Sequence, residues 1–210
     1  MKKVIKLSLL GFGILLLNSA VKAQNQSNIL IQASQNVTNF KFADSDGVVD
    51  KGYKPNYSGS YALGYRYDLE MGISFGAKLG MRKAGATYVF DNTNYTWDIN
   101  YFDTRLFAGY HYSLGKLSAG IAFEGYYGKM LKANQRLNNE DFDILNTGML
   151  NKGDFGVFIS PGVRYTISDY ISAYLDVNYM MGLANLETDE SQKSSNKLMG
   201  ATLGLAFAIQ

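Results

Sequence analysis

Nine charged residues stand at alternate positions among small neighbours: Arg66, Asp68, Lys78, Arg82, Asp103, Arg105, Glu124, Arg164 and Asp176. On extended chain this spacing puts them all on one face, where they can neutralise one another, gate an ion path or act as acid and base. Lys78, Arg105, Glu124 and Asp176 lie at similar distances from the ends of their segments, with opposite signs. They form the expected central charge cluster, and breaking a buried pair within it would cost roughly 3–5 kcal/mol. His111 is the only histidine, placed near a turn with Ser113 beside it. A hydrolase of the histidine-dependent kind needs a nucleophile, a base and an orienting partner together, and no second histidine can take the place of His111. No catalytic residue is therefore assigned, and the protein is read as a non-enzyme.

Metal and cofactor signals are equally sparse. The acidic stretches "DSDG" at 44–47 and "NNEDFD" at 138–143 lack the alternating ligands and terminal glutamate of a calcium loop. Both are read as solvated turns, with no metal and no cofactor expected. The chain has no cysteine, so no disulfide framework shapes it.

The elements that carry the charges follow from "YSGSYALGYRYDLEMGISFGAKLGMRK", residues 57–83. Tyr57, Tyr61, Leu63, Tyr65, Tyr67, Ile73, Phe75, Leu79 and Met81 are large, and the residues between them are small or charged. This period of two predicts strands. It recurs to give eight: 29–40, two within 57–83, 100–112, 116–130, 155–167, 171–179 and a last one through Met199 and Ile209. The connections at 69–71, 113–115 and 168–170 are short. Those at 43–56, 91–99, 131–152 and 184–196 are long and polar. Short turns on one rim and long loops on the other are the plan of an outer-membrane barrel. Pro161, which cannot donate to a ladder, predicts a bulge.

Alternation alone does not choose the solvent. In a soluble sandwich the second face would be dense in lysine, threonine and glutamate. Here it is mostly glycine, serine and alanine with isolated charges, which suits the narrow interior of eight strands. Tyrosines near strand ends, including Tyr110, Tyr127 and Tyr179, suit interfacial girdles on the outside. The fold class expected is an all-β, eight-stranded, antiparallel up-and-down transmembrane barrel.

Residues 1–23 read as a signal peptide: a basic start, an apolar run at 7–17 and Val21-Lys22-Ala23 before cleavage after Ala23. Removing its four lysines from 20 basic residues leaves 16 against 18 acidic ones, net −2. No basic footprint for nucleic acid remains. Residues 24–210 then form one barrel domain.

Residues 24–210 resemble the PorT-like outer-membrane barrels, and more distantly the small OmpA- and OmpX-like barrels. The resemblance is carried by the leader, the eight strands, "GVFISPGVRYTIS" and the closing Gly-Leu-Ala-Phe. It implies an integral outer-membrane protein of a gram-negative cell, with both termini periplasmic and lipid and lipopolysaccharide around it. It also implies that the last strand is read by the barrel-assembly machinery, although this chain ends on Gln210 where such families place an aromatic. Two roles are expected from different classes. One is a plugged barrel acting structurally or through its loops, with 131–152, rich in Leu137, Phe142, Ile144, Leu145, Met149 and Leu150, open to an extracellular partner. The other is a small gated pore for ions or small solutes.

Overall fold

A computed structural model describes residues 25–138, 140–189 and 191–209. The leader proposed at 1–23 and the terminal Gln210 lie outside the described residues. Among the described residues ten strands form one sheet: β1 (Gln26–Ala43), β2 (Val49–Asp50), β3 (Lys54–Asp68), β4 (Ile73–Phe90), β5 (Thr93–Leu114), β6 (Leu117–Leu137), β7 (Glu140–Asp143), β8 (Gly153–Ser168), β9 (Ile171–Gly182) and β10 (Lys193–Ile209). Eight are staves, each antiparallel to the next in chain order, and β10 pairs with β1 from Ser27↔Ile209 to Ala43↔Lys193 to close the ring. The short β2 and β7 belong to the loop end, pairing with β1 and β6.

The alternation behaves as expected. Leu63, Leu106 and Leu203 are at least 60 % exposed, whereas Lys78, Arg82, Asp103, Arg105 and Glu124, on the opposite face, are buried. An outer face this apolar, bounded by Tyr57 and Tyr67 on β3, is built for hydrocarbon, and strands that close on themselves present no free sheet edge to it. Glycine makes space inside. A Cβ on Gly204 would sit 2.2 Å from the Tyr174 ring, and one on Gly76 2.7 Å from Phe107, so each glycine seats an aromatic that fills the bore.

Three local expectations need correction. Residues 91–99 are not a long loop. Asp91 and Asn92, with φ of 45° and 58°, make a two-residue turn of the hairpin type, and β4 and β5 pair on either side of it. Above the bilayer the outward face no longer has to be apolar, so the strands continue without their alternation. For the same reason 131–152 is partly strand: β6 runs to Leu137 and β7 folds back on it. Pro161 makes no bulge. It pairs with Ile121 of β6, and β8 keeps one register against β9 on both sides of it, from Ile159↔Tyr179 to Gly162↔Asp176. The β8–β9 irregularity lies between Thr166 and Ser168, beside the turn.

Candidate functional site

The bore is filled in layers. Nearest the short turns, Asp68 accepts hydrogen bonds from Arg66 Nε, Arg164 Nη1 and Asn28 Nδ2, all at 3.1 Å. Each donor comes from the inward parity of its own strand, and β3 carries both Arg66 and Asp68. His111 is half-buried at the same end, beside the β3–β4 turn, where its backbone N–H donates to Gly72 O at 2.8 Å. A chamber of about 80 Å³ follows, lined in part by Arg66, Lys78, His111, Ser160, Arg164 and Asp176. That volume suits a few waters.

At mid-height, Lys78 Nζ donates to Glu124 Oε1 at 2.6 Å, and Arg105 Nη1 lies 3.8 Å from Glu124 Oε2. Lys78 sits over the Phe107 ring and Arg105 over Phe158, with 4.8 and 4.3 Å to the centroids. Register explains the meeting: Lys78 pairs with Arg105 across β4–β5, and Phe107 with Glu124 across β5–β6. Three members of the expected cluster thus come together. Asp176 stands apart. It lines the chamber over Gly162, and among the described residues no cation lies within 4 Å of it.

Higher up lies a layer whose centre the sequence reading passed over. Arg82 Nε donates to Asp103 Oδ2 at 2.8 Å, and Arg82 Nη2 to Asp154 Oδ2 at 2.9 Å, with all three side chains fully buried. Asp154 also accepts from Tyr126 OH at 3.1 Å and Asn196 Nδ2 at 2.8 Å. Arg105 Nη2 reaches Asp103 from below at 3.0 Å, which ties this layer to the next. Asp154 falls just before the sixth expected strand. Its inward parity with Gly156 and Phe158 is the signal that would have found it.

The loop end is closed by an apolar cluster. Phe40, Ala84, Ala86, Ile99, Tyr101, Met130 and Ala133 from the staves pack with Ile144 and Leu186 from the third and fourth loops. Trp97, Tyr53, Leu145 and Leu150 lean on it. Met130 and Ala133 both reach inward because a bulge at Leu131 shifts the β5–β6 register. Burial, with Asp50 and Glu187 nearby, pushes the Tyr53 hydroxyl up to about 12, so this ring stays neutral. In the acidic stretches, the Asp44 carboxylate accepts the N–H groups of Asp46 and Val48, and Asp143 accepts that of Leu145, as local turns do. Asp141 pairs with Arg136 on the surface.

Closed antiparallel staves, an apolar belt outside and a charged, side-chain-filled bore define a small β-barrel of the outer-membrane kind. No protein-family model matches the chain, and no curated protein does. Among solved structures, the outer membrane protein OprG from Pseudomonas aeruginosa matches with a TM-score of 0.55 at 10 % identity, over 90 % of this chain and 99 % of that one. Neisserial surface protein A matches with a TM-score of 0.49 at 14 % identity, over 86 % and 97 %. At 10 % identity the likeness to OprG is one of fold, and that fold is the outer-membrane barrel.

Proposed function

We propose that this chain is an integral outer-membrane barrel whose bore is a plug and whose role, structural or interactive, is exercised through its loops. One observation carries the reading: from Asp68 to Leu186 the bore is occupied by interlocked side chains, and its loop end is capped by a dry cluster. The protein is read as a non-enzyme of the PorT-like kind, on the motifs quoted above. Residues 1–23 are its export signal, with cleavage after Ala23, and the mature termini face the periplasm. Lipid and lipopolysaccharide surround it, and the barrel-assembly machinery reads β10. No metal, cofactor or nucleic acid takes part. The lumen cluster of Lys78, Arg105, Glu124 and Asp176, with Arg66, Asp68, Arg82, Asp103 and Arg164, serves to hold register and fill space.

Within 131–152, Ile144 belongs to the cap, whereas Phe142 and Met149 are exposed, at 45 and 59 %. These two are the surface offered to an extracellular partner. The test replaces both with Asp in the source cell. Insertion, followed by heat-modifiable migration, should be unchanged, while the envelope or adhesion phenotype of a strain lacking the protein should appear. A variant that behaves as wild type where the null strain does not defeats the loop assignment. The gated-pore reading is favoured by one feature, the 80 Å³ chamber, and would require the Lys78–Glu124 contact to open.

A further inference from the structure

Three lysines share one outward patch at the loop end of the seam that closes the barrel. Along the β1–β10 ladder Lys41 stands opposite Ser195, and Lys193 and Lys197 lie two residues to either side of that serine. A period of two puts all four side chains on the outer face, where diagonal neighbours are ~7–8 Å apart and within reach of long side chains. Lys41 and Lys193 are exposed, and Lys197 is half-buried. Among the described residues none of the three has a carboxylate within 4 Å. Asp44 and Asp189, on the loops that flank the patch, turn their carboxylates onto backbone N–H groups of their own turns. Residues 24–210 are net acidic, so this crowding of cations is local and not a reflection of overall charge.

The three lysines and Ser195 line a groove of about 450 Å³ that crosses β10 from β9 to β1. β9 ends at Gly182, and Lys197↔Met181 is the last pair it makes with β10, so beyond that pair residues 183–185 border the groove in place of a strand. Asn185 fixes this border: its Oδ1 accepts from the Ser194 N–H at 2.8 Å, and its Nδ2 donates to Gln192 O at 2.9 Å. The membrane side of the groove is apolar. Tyr179, Met181 and Leu183 line it, and Val37↔Met199 is the next outward pair below Asn39↔Lys197. All five of these apolar side chains are exposed. The cations thus begin where the apolar belt ends, which is the level of the lipid head groups.

We propose that this groove holds one phosphorylated lipid of the outer leaflet, a proposal that rests on the outer-membrane reading above. The phosphate accepts from Lys41, Lys193 and Lys197 over Ser195, and an acyl chain runs down across Met181, Tyr179 and Met199. Charge selects the head group. A phosphomonoester brings roughly two negative charges and three acceptor oxygens to the three ammonium groups. A zwitterionic phospholipid brings one phosphodiester charge that its own amine already balances. The occupant is therefore lipid A, the phosphorylated anchor of lipopolysaccharide, held at the seam between the first and last strands.

The test is native mass spectrometry of the full mature barrel after incubation with lipid A, with the same lipid A stripped of its phosphates, or with phosphatidylethanolamine. Lipid A should be retained at one per barrel, and the other two roughly tenfold less. Lys41→Gln combined with Lys197→Gln removes two outward cations without touching the bore, and should lower lipid A retention by a similar factor. Lys83→Gln combined with Lys132→Gln removes the same charge from β4 and β6 and should leave retention unchanged. Inorganic phosphate, which lacks the chain, should not displace the lipid at equal concentration. The comparison with stripped lipid A uses the wild-type barrel, so it decides the matter even where a variant does not insert. Equal retention with and without phosphates, equal retention by the folded Lys41 and Lys197 double variant, an equal loss in the Lys83 and Lys132 control, or displacement by free phosphate overturns the site and leaves the outer-membrane reading standing. A wild-type barrel that does not insert into lipid vesicles strikes that reading, and the site with it.

Discussion

Asp154→Ala is the perturbation that the layered bore makes most informative. The carboxylate is fully buried and accepts three hydrogen bonds, from Arg82, Tyr126 and Asn196. Its loss leaves Arg82 with Asp103 alone, and Asp103 is already shared with Arg105. Two guanidinium groups would then divide one carboxylate in a site closed to water, where breaking a buried pair costs roughly 3–5 kcal/mol. Asp154→Asn retains an acceptor for Tyr126 and Asn196 and should lose less. Urea unfolding from phospholipid vesicles reads the difference through Trp97, the only tryptophan, which leans on the cap directly above this layer. The surface pair Arg136–Asp141, about half exposed, is the control, and Asp141→Ala should leave the midpoint where it is. If Asp154→Ala is as harmless as Asp141→Ala, Arg82 is reached by water and the bore is not the sealed plug described.

The lipid face, the close-packed glycines and the loops each make a further prediction. Leu63→Arg, mid-strand and 60 % exposed to the bilayer, should cost ~2–4 kcal/mol in the same assay, and a negligible cost would mean that Leu63 does not face hydrocarbon. A Cβ on Gly156 would sit 2.2 Å from Met181 O, so Gly156→Ala should cost ~1–3 kcal/mol through overpacking. Gly125→Ala, with nothing within 4 Å, should be neutral; equal effects would refute the packing described between β8 and β9. Burial, and then Asp189, hold the Glu187 carboxyl above its ordinary 4.5. A raised acid favours the protonated folded state, so its contribution is present below 4.5 and is lost as pH rises through the raised value. Hydrogen exchange at the Leu186 amide, bonded to Ser194 O at 2.8 Å, should therefore quicken over that rise beyond the intrinsic rate. In Glu187→Gln this extra change should vanish.

The membrane-embedded part of the fold was legible because lipid imposes one rule on every stave. Outside must be large and apolar, and inside must fit a narrow bore, so parity alone separated Leu63 from Lys78. Beyond the bilayer that rule lapses. Residues 93–99 and the β6–β7 hairpin therefore read as loops although they are paired backbone. The meeting of Lys78, Glu124 and Arg105 follows from depth and sign, but that of Arg82 with Asp154 depends on the register between β4, β5, β6 and β8, which no single strand carries. Asp176 shows the same limit from the other side. Its depth is right, yet the neighbours that would pair with it are already engaged by Glu124 and Asp68. Pro161 disrupts no register because its position pairs with β6 and leaves no ladder pair on the β9 side.

Whether the bore conducts is the most direct test of the plug. Residues 24–210, refolded and inserted into a planar bilayer, should give no steady current at either polarity while heat-modifiable migration shows a folded barrel. The cap and the Arg82 layer remain in Glu124→Ala, so that variant should be silent too. A stable ohmic current in the wild-type barrel, altered by Glu124→Ala, would contradict the plug and make the Lys78–Glu124–Arg105 cluster the gate of a channel.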